Sequence, residues 1–402
     1  MRDSKACVIR LDSPKITGDR VRLDGHLEIP GKPTWDVSFE FNCPNPTDAK
    51  LRARPFVLAF LPMAMRLGLP LRCEHPIDQI THDQLRAWQS CFAAWLPLRM
   101  QIVDLQIPIA RENKVRVGGG AITAFSGGGD SCFTAMRHAG KKSASLHHAA
   151  LTAGLMIHGF DIKPSALTAY NEAFESSRKI LNAYHLDAYS LWTNIRERRW
   201  RPKLCWERET HGIWLAACLS CLEPWFDVTV IPSSFSNDRA LHPWASNPQT
   251  DTLLGSENTP LVHDGLEFSK YDKLQQMADV KIITDHMRTC FSNSESGQNC
   301  GHCLKCSSTQ VLLELFGCPK PEAFPERYTL ADIAERKAYS RKLAGPVRIY
   351  ILNIIQLAKE KGRSDIQQAY EKSLRSFDRY AARDRILTTI RHTLYRFLGG
   401  AL

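Results

Sequence analysis

The chain has 402 residues, 44% of them apolar and 23% charged, the profile of an ordinary folded protein. That balance excludes a mostly disordered chain, a collagen-like repeat and a cysteine-dense mini-scaffold, and the length suggests two to three domains. The formal charge is +10, but Ser340 to Leu402 alone holds 13 Lys/Arg against 5 Asp/Glu, so the body is close to neutral and charge does not make it a nucleic-acid binder.

Residues 1–117 read as an α+β domain. Val21 to Ile29 and Trp35 to Phe41 alternate apolar and polar residues as half-buried strands do. Pro55 to Leu67 and Asp83 to Leu96 carry apolar residues at helical spacing. From about Gly120 the rhythm becomes strand, turn, helix. Ala121 to Phe125, Leu151 to His158, Ala188 to Trp192 and Val228 to Pro232 read as strands, with helices from Ser131, over Ser165 to Tyr184 and over His211 to Leu222. Such alternation predicts an α/β fold, a parallel sheet with helices on both faces, over residues 118–327. Residues 328–402 read as a basic helical region, where Ile386, Ile390, Leu394 and Phe397 form one apolar stripe.

The start is polar and lacks the apolar core of a secretory leader, and no run of about 18 apolar residues occurs, so a cytoplasmic chain without a membrane span is expected. Thiols stay reduced there, and thirteen cysteines, four clustered near residue 300, point to a metal rather than to disulfides.

The most informative segment is Ser126-Gly127-Gly128-Gly129-Asp130-Ser131, between a strand and a helix. Glycines let a phosphate approach the backbone, successive N–H groups form an anion nest, and the helix start adds positive partial charge. Ser126 and Ser131 can donate hydroxyl hydrogen bonds, and Asp130 can cap the helix or hold Mg²⁺. The Walker spacing is absent, as is GxGxxG. The segment resembles the SGGxDS loop of the PP-loop ATP pyrophosphatases, the adenine nucleotide alpha-hydrolase superfamily. That resemblance implies cleavage of ATP between its α and β phosphates, with AMP passed to a carboxylate or carbonyl oxygen. Ser126 to Ser131 would bind phosphate, with Asp130 and Ser131 catalytic. It also places adenine near Met156-Ile157-His158-Gly159, which makes His158 a nucleotide-contact candidate.

Cys290, Cys300, Cys303 and Cys306 stand as C-x9-C-x2-C-x2-C. Four thiolates can surround one Zn²⁺ tetrahedrally; an iron–sulfur cluster is the alternative. A GGxDS loop followed far downstream by Cys-Gly-His-Cys-x2-Cys is similar to the 7-cyano-7-deazaguanine synthase family, over roughly residues 120–310. The spacing from Cys290 to Cys300 is one residue longer than that family's pattern, and residues 1–115 and the basic tail lie outside the likeness. Lys270 is a further catalytic candidate, because a helix is expected to start at Ser269 and the family supplies a lysine from this region. Ser233, Ser234 and Trp244 follow the fourth strand and are candidates for substrate contact. Cys218 and Cys221 form a second CxxC inside an apolar helix and read as packing, with sulfur transfer as the other reading.

These readings lead to an AMP-forming ligase that uses ATP, Mg²⁺ and Zn²⁺ to couple nitrogen to a small-molecule or purine-like acceptor. Thiolation of a tRNA base or small molecule is the sulfur-based alternative, and a nucleotide-dependent RNA-binding or adaptor module a third. The basic tail leaves RNA open as a partner, and an oligomer is compatible with the sequence.

Overall fold

The computed structural model describes residues 6–111, 119–198, 200–236, 243–292, 295–336 and 344–376, without the side chains of 344–347. The chain forms two compact units, Met1–Gln298 and Asn299–Leu402.

The first unit is α/β, built on one mixed sheet of eleven strands. The strands are β1 (Cys7–Leu11), β2 (Lys15–Thr17), β3 (Arg20–Glu28), β4 (Trp35–Asn42), β5 (Leu71–Cys73), β6 (Leu105–Gln106), β7 (Ala121–Ala124), β8 (Leu151–His158), β9 (Asp187–Thr193), β10 (Val228–Pro232) and β11 (Leu261–Asp264). Their order is β11-β10-β7-β8-β9-β4-β3-β1-β5-β6, with β2 on β3. From β11 to β9 every pairing is parallel. These five strands, counted from β7, run 3-2-1-4-5 across the sheet, so the direction of winding reverses between β7 and β10. Ligands of open α/β sheets sit outside the carboxyl ends of the strands at such a reversal.

Three features of the sequence produce this block. β7 and most of β8 are buried on both sides, as a strand covered by helices must be. Helices α1 (Arg54–Leu67) and α2 (Gln79–Trp95) precede the block; α3 (Gly129–His138), α4 (Leu167–Ala183) and α5 (His211–Ser220) cross over within it. Right-handed crossovers travelling in opposite directions put α3 and α4 on one face and α5 on the other. α1 and α5 are apolar nearly all round and pack on each other, with Trp214 Nε1 donating to the Ala59 carbonyl at 3.0 Å.

The antiparallel strands join the same sheet rather than forming one of their own. β4 pairs antiparallel with β9, opposing Phe39 to Thr193 and Phe41 to Leu191. Asn42 accepts from the Ser190 amide at 2.7 Å and Asn194 from the Ser38 amide at 2.9 Å, which fixes that register. Alternation in β4 reads the core directly: Trp35, Val37, Phe39 and Phe41 are all buried. The short helices α6 (Pro248–Asp251), α7 (Lys270–Met277) and α8 (Lys281–His286) complete the unit.

The second unit holds α9 (Leu304–Leu315), α10 (Leu330–Glu335) and α11 (Ala344–Glu360). α9 and α11 pack together, and Tyr370 lies buried with its hydroxyl 3.3 Å from Ser308 Oγ. Among the described residues no helix is long and apolar enough to cross a membrane. Ile386, Ile390, Leu394 and Phe397 lie outside the described residues.

Candidate functional site

β7 ends in a turn whose backbone is shaped by glycine. Gly127 has φ +73°, and a Cβ there would lie 2.9 Å from Ser177 Oγ. Gly128 is the extended N-cap of α3. The turn is braced from within. Ser131 Oγ donates to the Gly128 carbonyl at 3.0 Å and accepts from the Ser126 amide at 3.3 Å. It is braced from behind as well, because the Gly127 carbonyl accepts from the Arg288 amide at 2.7 Å.

The amides of Gly129, Asp130 and Ser131 have no such partner: among the described residues they donate no hydrogen bond. They are the first N–H groups of α3, which a helix cannot satisfy internally. Ser126 is exposed and Gly128 and Gly129 are half-buried, so the turn is open to solvent. The result is a cradle of helix-start amides with a hydroxyl at its rim, an arrangement that could hold an anion.

A buried lysine closes one side. Lys273 is 2% exposed, and its Nζ lies 3.2 Å from Asp130 Oδ1 and 2.5 Å from the Ser233 carbonyl. One cation thus ties the start of α3 to the loop after β10, across the reversal of winding. α7 presents Lys273 through a capping box: Ser269 Oγ accepts from the Asp272 amide, and the Asp272 carboxylate accepts from the Ser269 amide. Below them, Asp264 at the end of β11 accepts from Thr134 Oγ1 at 2.7 Å and lies 2.8 Å from His138 Nε2. Burial opposes ionisation of Asp264, but the His138 and Thr134 hydrogen bonds and the nearby positive charge hold its carboxyl below the usual range.

The other candidates fall at varied distances from this chemistry. Ser126 to Ser131 form the cradle. Lys270 opens α7 and is half-buried; the lysine whose amine reaches Asp130 is Lys273, three residues on. Ser233 is fully buried and its backbone, not its hydroxyl, meets Lys273, while Oγ lies 2.5 Å from the Phe235 carbonyl. Ser234 is exposed, and Trp244 meets the Phe235 ring edge-on at 5.6 Å. His158 is buried, stacked on Tyr170 at 4.4 Å, with Nε2 2.8 Å from the Lys163 carbonyl. Cys218 and Cys221 are sealed in α5 and its end, and burial pushes both thiols far up, which leaves them inert.

The four clustered cysteines converge. One Sγ from each of Cys290, Cys300, Cys303 and Cys306 lies within 4.8 Å of all the others, and Cys300 and Cys306 sulfurs are 3.9 Å apart. Zn–S bonds of about 2.3 Å place tetrahedral sulfurs about 3.8 Å from one another, so the set fits Zn²⁺ with little movement. The amide of Cys303 points at Cys300 Sγ at 3.3 Å and that of Cys306 at Cys303 Sγ at 3.5 Å, bonds that favour the thiolate form. Gly301 makes this knuckle, with φ +77° and no room for a Cβ, which would meet the Glu326 carbonyl at 2.4 Å. His302 turns outward toward Glu326 and stays largely exposed.

No family model matches the chain, and no curated protein or solved structure matches it.

Proposed function

We propose that the chain is an ATP-dependent, AMP-forming ligase of the PP-loop kind. In the first step an acceptor carboxylate or carbonyl oxygen attacks the α phosphorus. The bond to the bridging oxygen breaks, and pyrophosphate leaves with that electron pair. In the second step a nitrogen nucleophile attacks the activated carbon, and AMP leaves with its oxygen. The observation that carries this reading is the open cradle of Gly129, Asp130 and Ser131 amides at the reversal of winding. These amides would hold the pyrophosphate portion as negative charge grows on it.

The exposed Ser126 hydroxyl would add a donor to the same phosphates, while the Ser131 hydroxyl, which donates to the Gly128 carbonyl, would hold the turn in shape. Mg²⁺, which would neutralise the phosphates, finds a carboxylate in Asp130. Lys273 fixes the direction of that carboxylate. Ser234 and Trp244, which follow β10 in the chain, would meet a small-molecule or purine-like acceptor. The four cysteines would hold a structural Zn²⁺. Nitrogen is favoured over sulfur as nucleophile because Cys218 and Cys221 are buried and the clustered cysteines suit a closed metal shell.

Incubation with Mg-ATP and a panel of carboxylate and heterocyclic acceptors tests the reading. AMP and pyrophosphate are the expected products, and Asp130→Ala should abolish both while leaving the circular dichroism spectrum unchanged. ADP and phosphate, or no turnover with any acceptor, would defeat it.

A further inference from the structure

A second place on the first unit gathers charge of one sign. A cavity of about 590 Å³ is lined by Lys32, Arg66, Arg99, Arg201, Lys203 and Cys205. Among the described residues no carboxylate belongs to the lining itself; the nearest stand behind Cys205, where Glu209 accepts from its amide at 2.7 Å and Glu207 lies 3.4 Å from its sulfur. Lys32 lies in the turn from β3 to β4, Arg66 in the last turn of α1, Arg99 beyond α2, and Arg201 and Lys203 in the loop after β9. Arg99 pairs with the buried Glu209. Among the described residues the other four cations make no ion pair, and Arg66 Nε is buried without a hydrogen-bond partner. Four cations without an acidic partner around one cavity repel one another, an arrangement that folding alone does not favour.

The cations are also held in place. Lys32 Nζ sits 5.5 Å from the Trp200 ring, and Arg198 stacks between Trp200 at 4.2 Å and Trp35 at 5.5 Å. Trp35 continues to Trp214, Trp214 to Trp206, and Trp206 to Arg196 at 4.3 Å. Arg198 also donates to the carbonyls of Trp200 and Pro202, which clamps the backbone that carries Arg201 and Lys203. Burial without an acidic partner holds the Arg198 guanidinium down to about 10. This ladder of rings and cations fixes the loop before any ligand arrives, the condition for tight binding at low ordering cost.

We infer that this cavity is a binding site for a small molecule carrying two or more phosphate groups, separate from the cradle on α3. Arginine forks and lysine ammonium groups match phosphate oxygens, and the volume suits a ligand of nucleotide size rather than an extended strand. β7, β8 and β9 are parallel, and β4 starts at the carboxyl end of its antiparallel partner β9. The cavity therefore opens on the same edge of the sheet as the glycine turn, with β8 and β9 between them.

Titration calorimetry of the full chain with inorganic tripolyphosphate tests this. Lys32→Ala/Lys203→Ala removes two exposed charges whose loss leaves the core untouched, so its melting temperature should match that of the parent. Loss of two charge-assisted contacts predicts binding at this site weakened about a hundredfold, roughly tenfold for each. Ser131→Ala, which acts on the glycine turn, should leave that event in place, so failure of the nucleotide reading would appear separately. Unchanged tripolyphosphate binding in the double lysine variant overturns the inference. So does tight binding of an oligothymidylate by a chain that ignores tripolyphosphate, which would make the surface a nucleic-acid groove.

Discussion

Lys273→Met separates the two lysines of α7. Lys273 is 2% exposed, and its amine reaches Asp130 at 3.2 Å and the Ser233 carbonyl at 2.5 Å. Methionine fills nearly the same volume, so the loss is one of polar contacts. A hydrogen bond to a charged group contributes about 1.5–3 kcal/mol. The Asp130 side chain is 29% exposed and regains water, which screens its share, whereas the Ser233 carbonyl belongs to a fully buried residue. A net loss of about 2–3 kcal/mol follows, or about 4–6 °C in melting temperature for a unit of this size. Under the proposed chemistry Asp130 also loses its orientation beside the phosphates, and the rate of pyrophosphate release should fall about 10²–10³-fold. Scanning calorimetry and a coupled pyrophosphate assay measure the two effects separately. A lowered melting point with undiminished pyrophosphate release would make Lys273 a packing residue and refute the argument. A large loss of activity in Lys270→Met alone would refute it as decisively, in favour of the lysine chosen from the sequence.

Plasma mass spectrometry should find one zinc per chain, absent in Cys303→Ser and retained in Cys318→Ser; retention in both would refute the four-thiolate assignment. Gly159 has φ +115°, and a Cβ there would fall 1.9 Å from the Thr193 carbonyl. Gly159→Ala should therefore cost about 3 kcal/mol or more, read as a lower urea midpoint. Burial works against ionised Asp24, yet hydrogen bonds from Arg22, Ser38 and Lys15 hold its pKa down to about 2. Because that value is depressed, the stabilisation is complete above the unfolded pKa near 4 and is lost as pH falls from there through about 2. The parent should lose about 2 kcal/mol over that window that Asp24→Asn does not lose, by urea titration at each pH.

Four of the five parallel strands, β7 to β10, are legible because each is a short apolar run next to a turn signal. Leu151 to His158 is found with the bounds expected, and Trp35 to Phe41 lies within β4. β11 is not among the strands expected from the sequence, since Leu-Val-His-Asp is half polar and offers too few residues for a period. Its place at the end of the sheet comes from pairing with β10, a long-range fact. The join between β4 and β9 was equally invisible, because antiparallel register there depends on Asn42 and Asn194 meeting backbone amides about 150 residues away. Lys273 was missed for a related reason. Lys270, Lys273, Leu274 and Met277 share one side of α7, and helical period does not say which lysine goes inside. The neighbouring strands decide it, since Lys273 alone of the two reaches both the start of α3 and the end of β10.

The antiparallel strands also explain why the two candidate sites share one edge. A parallel block that ended at β9 would leave a row of unpaired backbone groups there, open to pairing with another chain. β4 covers that edge in the antiparallel sense, which requires the β3–β4 turn to lie beside the loop that leaves β9. The turn brings Lys32 and Trp35, and the loop brings Arg198, Trp200, Arg201 and Lys203. Aromatic rings then separate the cations that would otherwise crowd. Strand spacing of about 4.8 Å puts β9 about 10 Å from β7, so the cation-lined cavity and the glycine cradle are distinct places served by one edge. The first follows from how the sheet is closed, the second from where its winding reverses.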